Sequence, residues 1–188
     1  GQVEILKGAS SALFGSSALN GVINIRTQKP TETPQTQLNI FQGFYNDPVR
    51  PDTLGNRRDS ANNLNKPLKH WQGANPTYTG FNFNHLRRIK NLDLGIQLSG
   101  FNDAGYKQGE TEQRLRAAFQ LGYNLNKKWR FELNGGGMRV NGGLFFIWES
   151  DTTALIPSGG LDTATTSLSY YTNTRFHLDP RITFYADN

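Results

Sequence analysis

The chain has 188 residues with no cysteine, 36% hydrophobic and 12% aromatic residues, and a formal charge of +5. The missing cysteines exclude disulfides, thiol catalysis and thiolate metal sites together. A mean hydropathy of -0.60 is thin for a soluble core, the aromatic share is too rich for a disordered chain, and no run of 18 or more apolar residues exists to make a membrane-spanning helix.

The chain opens on VEILKGASSALFGSSALNGVINIRTQKP, from Val3 to Pro30. Val3 and Ile5, then Val22, Ile23 and Ile25, read as two short strands, with Gly8, Gly15 and Gly21 able to bend the backbone between them. Catalytic readings fail on absences. Gly8 to Gly15 is not followed by the Gly-Lys-Ser/Thr of a phosphate loop, and Gly15-Ser16-Ser17-Ala18-Leu19 lacks the second glycine of a nucleophile elbow. No signal-peptide pattern stands at the start. An opening at Gly1 that enters a strand at once leads us to expect further sequence upstream.

Beyond residue 30 the apolar residues alternate. Leu38, Ile40 and Phe44 come first, followed by Phe81 and Phe83. From Asn91 to Phe101, Leu92, Leu94, Ile96 and Leu98 share one face, opposite Asn91, Asp93, Gly95, Gln97 and Ser99. From Arg114 to Leu125 the same rule sets Leu115, Ala117, Phe119, Leu121, Tyr123 and Leu125 against a mostly polar face. Trp129, Phe131 and Leu133 follow, then Leu168, Tyr170, Phe176 and Leu178, and finally Ile182 and Phe184. This gives about seven strands.

The connections alternate in length. Asn46 to Pro76, Asn102 to Glu112 and Val140 to Thr165 are long; Arg87 to Lys90, Asn126 to Lys128 and Asp179 to Pro180 are short. The basic residues Arg57, Arg58, Arg87, Arg88, Lys90, Lys127, Lys128 and Arg130 fall where turns or loops are expected, which favours solvated turns over a nucleic-acid stripe.

An antiparallel meander with alternating connections carries all its long loops at one end, as outer-membrane barrels do. The clearer strands, at about 10 to 12 residues, suit a tilted membrane strand better than a soluble one. With lipid on one face and an aqueous lumen on the other, half of each strand can be polar, which accounts for the low hydropathy. Tyr78, Tyr123, Trp129, Tyr170 and Phe176 lie near strand ends, where an interfacial aromatic belt is expected.

The opening stretch resembles the end of the plug domain of TonB-dependent outer-membrane receptors. That pattern runs Ile-Glu-Val-Leu-Arg-Gly-Pro, small residues, Leu-Tyr-Gly-Ser, then Gly-Gly-Val-Ile-Asn-Ile and a Thr-Lys segment. This chain departs from it at Ala9, Phe14 and Asn20. The resemblance implies an all-β fold, part of a large antiparallel transmembrane β-barrel preceded by the C-terminal piece of a plug domain. Residues 1–30 would be the plug end and 31–188 the first strands of an incomplete barrel beginning near Gln35. It further implies a location in the bacterial outer membrane, no enzyme activity and no cofactor. The activity implied is active uptake of an iron chelate, a cobalamin or an oligosaccharide. An energy-transducing TonB-type protein would drive it through a segment outside this chain.

Glu4 and Lys7 are candidate plug–barrel contacts, with solvated strand charges as the alternative. Phe145, Phe146 and Trp148 in GGLFFIWES, and Trp71 beside His70, are candidate ligand contacts in extracellular loops, with packing between loops as the alternative. His70, His85 and His177 lack carboxylate spacing, so no metal is assigned. Two rivals remain: a soluble all-β ligand- or carbohydrate-binding module, which would fold alone in water, and a passive or structural barrel without plug or coupling segment.

Overall fold

The computed structural model describes residues 2–7, 21–26, 28–46, 69–150 and 154–186. Every strand among them pairs antiparallel, and no helix occurs. The fold is all-β.

β1 (Gln2–Lys7) and β2 (Gly21–Arg26) form a two-stranded sheet, from Gln2 opposite Arg26 to Lys7 opposite Gly21. Val3 is the register partner of Ile25 and Ile5 that of Ile23, and β-branched residues suit extended strands. The small-residue run of the opening motif, 8–20, lies outside the described residues.

The second sheet has six strands in sequential order: β3 (Gln35–Phe44), β4 (Thr77–Ile89), β5 (Leu92–Asp103), β6 (Glu112–Asn124), β7 (Trp129–Leu144) and β8 (Ser169–Phe184). β3 begins at Gln35, where the alternation starts. β4 and β5 turn through Lys90 and Asn91 alone, with Lys90 at φ 53, the left-handed conformation that a tight hairpin demands. β6 and β7 turn through 125–128, where Asn126 Oδ1 accepts from the backbone N–H of Lys128 and Trp129 at 2.8 and 2.9 Å. That Asx geometry is why so short a connection suffices. The strands joined by the long connections, 45–76, 104–111 and 145–168, meet them at the other end of the sheet.

The register sorts most side chains by polarity. One face runs in rows such as Leu38–Phe83–Leu98–Ala117–Gly137–Phe176 and Ile89–Leu92–Tyr123–Phe131–Ile182. The other runs Gln37–Asn84–Gln97–Ala118–Gly136–His177 and Asn39–Asn82–Ser99–Arg116–Met138–Arg175. The polarity is the reverse of a soluble sheet. The apolar face is the uncovered one, with Ile40 74% and Phe176 88% exposed, while the buried apolar residues Leu86 and Val140 sit on the polar face and Trp71, Phe145 and Leu168 in the connections.

Glycines and rings are matched across strands. A Cβ at Gly43, Gly80, Gly100 or Gly135 would collide with the ring of its register partner, Tyr78, Phe41, Phe81 and Phe119 respectively. Each ring packs against a partner that offers only backbone, which buries aromatic area without a second side chain.

Three expectations are corrected. Asp179 and Pro180 are not a turn; they pair with Asn134 and Leu133 inside β8, so the described residues after 30 hold six strands. Among the described residues β8 pairs with β7 alone. Val140 does not begin a loop, because β7 runs on to Leu144. Leu168 stands outside β8 and is buried against Gly109, a φ +76 position at which a Cβ would collide with its side chain.

Candidate functional site

Two clusters occupy opposite ends of the polar face. At the short-turn end Arg88 and Asp93 are register partners across the β4–β5 hairpin, and the same row continues through Gly122 and Glu132 to Arg181. Arg88 Nε donates to Asp93 Oδ1 at 2.6 Å, and Arg130 Nη2 donates to Asp93 Oδ2 at 2.9 Å. Arg130 also reaches Glu132 Oε1 at 3.0 Å and Asn124 Oδ1 at 2.9 Å. A Cβ at Gly122 would stand 2.6 Å from Arg130 Nη2; the glycine opens the path by which Arg130 crosses β6 to reach Asp93.

Asp93 is 1% exposed, and a buried carboxylate is tolerable only when its oxygens are paired. Both are. Two guanidinium groups against two carboxylates balance in charge, and Arg130 spends its donors on three acceptors. Beside this cluster Lys29, Gln120, His177 and Arg181 join Arg130 and Glu132 in lining a cavity of about 410 Å³. No hydroxyl or thiol nucleophile adjoins it, and among the described residues no group of three or more His, Asp or Glu could hold a metal ion. The cluster can clamp and present charge.

At the long-loop end the residues are aromatic. Tyr45 packs on Tyr78 and Tyr106 with centroids 5.5 Å apart in both cases, and Trp71 lies 5.8 Å from Tyr106 and 5.1 Å from His70. The Tyr45 hydroxyl donates to Asp103 Oδ2 at 2.8 Å. Burial, then the hydrogen bond to Asp103 and its negative charge, push the Tyr45 phenol up to about 12. Burial lowers the pKa of His70, opposed by a backbone hydrogen bond with Tyr106, and Nε2 of His70 is buried without a partner. Gly105, at φ +86, donates its N–H to Asp103 Oδ1 at 2.8 Å, so one carboxylate both turns the β5–β6 loop and anchors Tyr45.

The candidate residues from the sequence scatter among these places. Glu4 lies on β1, half-buried, opposite Asn24, and Lys7 ends β1 opposite Gly21. Trp71 is buried, its indole donating to Asn75 Oδ1 at 3.3 Å, and Phe145 is 3% exposed beneath the Lys107 ammonium, 5.3 Å from the ring centre. Both pack between loops. Phe146 at 82% exposed and Trp148 at 49% remain open to solvent, on a loop closed by the Trp148–Pro157 bridge and by Glu149 accepting from Gly159 N–H.

Arg88 and Arg130 are not turn cations but strand residues in ion pairs. Arg57 and Arg58 lie outside the described residues. The sequence reading missed Asp93, Arg88 and Arg130 as a unit. One signal was available: opposite charges symmetric about a two-residue turn. Arg130, 37 positions from Asp93, left no such trace. No family model matches the chain, and no solved structure matches it.

Proposed function

We propose that this chain is part of an outer-membrane receptor for TonB-dependent uptake of a scarce nutrient, an iron chelate, a cobalamin or an oligosaccharide. In this reading β1 and β2 end a plug and β3 to β8 begin a transmembrane barrel. The observation that carries it is the inverted sheet. Six strands of 10 to 16 residues expose a mostly apolar face and turn most of their polar residues, buried Asp93 among them, the other way. Water would penalise that face, whereas lipid would not.

Three further features support the reading. The strands are long enough to cross a bilayer when tilted. The apolar face ends in aromatic residues at both margins, with Trp129 against Phe184 at 4.8 Å by the short turns and Phe44 and Tyr170 exposed by the long loops. The resemblance of residues 3–30 to a plug end adds the gating element and the energy coupling.

Labelling of the full-length protein tests the reading. Single cysteines at Asn63, Gly109 and Ser158 are expected to react with an impermeant thiol reagent on intact cells, and one at Lys127 is not. Labelling at Lys127 alone would invert the orientation. Recovery of the full-length protein as a detergent-free soluble monomer would replace the membrane reading with the soluble binding module.

A further inference from the structure

The apolar face is not uniform. Near its long-loop margin the row Ile40–Phe81–Gly100–Leu115–Arg139 surrounds a depression of about 710 Å³. Gly100 contributes no side chain to its floor, and the ring of Phe81 lies across it. Leu38 and Ile40 form one wall and Leu115 the other. One row nearer the loops the same face changes to Thr79, Asn102, Gln113 and Asn141.

Two arginines stand on this face, Arg87 by the short turns and Arg139 beside the depression. Arg139 lies within the apolar rows, is exposed, and takes part in no ion pair among the described residues. An uncompensated guanidinium facing hydrocarbon is unfavourable, and the penalty falls away only near the interface. The amide row beside Arg139 places it at that level, where lipid phosphates are the available anions. The arrangement is therefore an apolar trough with a cation and neutral hydrogen-bonding groups at one end only, matching a molecule with a chain and an anionic head.

We propose that this groove is a binding site for a phosphate-bearing lipid, one acyl chain lying in the trough over Gly100 and Phe81 and the headgroup phosphate held by Arg139, Gln113 and Asn141. The proposal rests on the membrane reading above. It assigns the outward face a specific ligand, distinct from any nutrient carried through the lumen. Bound lipid would tie β5, β6 and β7 together at the level where the long loops emerge.

The test uses the full-length protein extracted in a nonionic detergent. Flotation with lipid vesicles comes first; failure to float defeats the membrane reading itself, whatever Arg139 does. Native mass spectrometry then follows competition between phosphatidylglycerol and phosphatidylcholine of identical chains. The wild type is expected to retain one phosphatidylglycerol in preference, Arg139→Gln to weaken that retention about tenfold or more, and Arg139→Lys to keep most of it. Leu115→Trp, which fills the trough and leaves the cation, is expected to reduce retention of both lipids. Inorganic phosphate at millimolar concentration should displace neither. Equal retention of the two lipids by a floating wild type, unchanged preference in Arg139→Gln, or displacement by phosphate alone each overturns the lipid site.

Discussion

Asp93 shows what a single residue can demand of its surroundings. Its side chain is 2% exposed and receives Arg88 and Arg130, whose side chains are 37% and 16% exposed. Removing the carboxylate leaves the more buried guanidinium short of an acceptor, so Asp93→Ala is expected to destabilise the full-length protein by about 3 kcal/mol. Arg88→Ala should cost under about 1 kcal/mol, because Asp93 keeps Arg130 and the lost partner is half in solvent. Urea unfolding midpoints of the two variants give the comparison; an equal loss would mean that both arginines are needed to offset the burial of Asp93. Had the sequence been read for hairpin symmetry, Arg88 and Asp93 would have been paired in advance, but nothing local points to Arg130.

His70 sets a pH dependence at the same scale. Burial holds its folded-state pKa below the ordinary value of 6.5, so an opened loop binds a proton more readily than a packed one. The loop's packing contribution is therefore complete above about 6.5 and is lost as pH falls through the lowered folded value. Trp71 reports it directly. In a protein whose other tryptophans are phenylalanine, acrylamide quenching of Trp71 is expected to rise on acidification from pH 7 to pH 5. His70→Phe should flatten the change. Quenching that stays constant over this range in the unmodified loop would show that His70 does not control the packing.

At the scale of elements, the pairing of rings with glycines explains how β3 to β7 carry bulky side chains without crowding. Gly135 and Gly137 are neighbours on one face of β7 and make a direct contrast. A Cβ at Gly135 would lie 2.7 Å from Phe119 Cε1 and Cζ, whereas one at Gly137 would meet Arg175 O at 3.5 Å and Phe176 Cβ at 3.9 Å. Gly135→Ala is expected to cost about 1 to 3 kcal/mol by driving Phe119 from its seat. Gly137→Ala should be neutral or stabilising by up to about 1 kcal/mol, since a strand glycine sacrifices backbone entropy on folding. Thermal or urea unfolding of the two variants decides it, and equal effects would remove the ring-over-glycine account. The glycines were visible in the sequence as breaks in the alternation. Their partners were not, because a cross-strand neighbour is set by register.

For the whole molecule the question is what lies against the apolar face. Leu98 is 40% exposed in the described sheet, while its neighbour Gln97 points to the polar face, where it lines the cavities with Asn84 and Ala118 beside it. In lipid, Leu98→Arg is expected to cost about 2 to 4 kcal/mol and to lower the yield of heat-resistant folded protein in outer membranes, and Gln97→Arg should leave it near wild type. In water an exposed leucine changed to arginine would alter stability by less than about 0.5 kcal/mol. Tolerance of Leu98→Arg in the full-length protein would therefore count against the membrane reading as strongly as a soluble monomer would.

The sequence by itself determined the strand class, the two faces and the alternation of short and long connections. Each is local: a period of two, and turn residues such as Asn126 that fold back on their own neighbours. It even set the start of β3 at Gln35. The tertiary structure alone decided that Asp179 and Pro180 continue β8, because a proline's cost depends on whether a neighbouring strand needs its N–H. It alone put Arg130 on Asp93 and Phe119 on Gly135, since those meetings depend on a register fixed by all the strands between them. It also decided that Trp71 and Phe145 are buried while Phe146 and Trp148 stay open. A loop aromatic is buried or bare according to which other loop arrives beside it, and that arrival is encoded nowhere in its own segment.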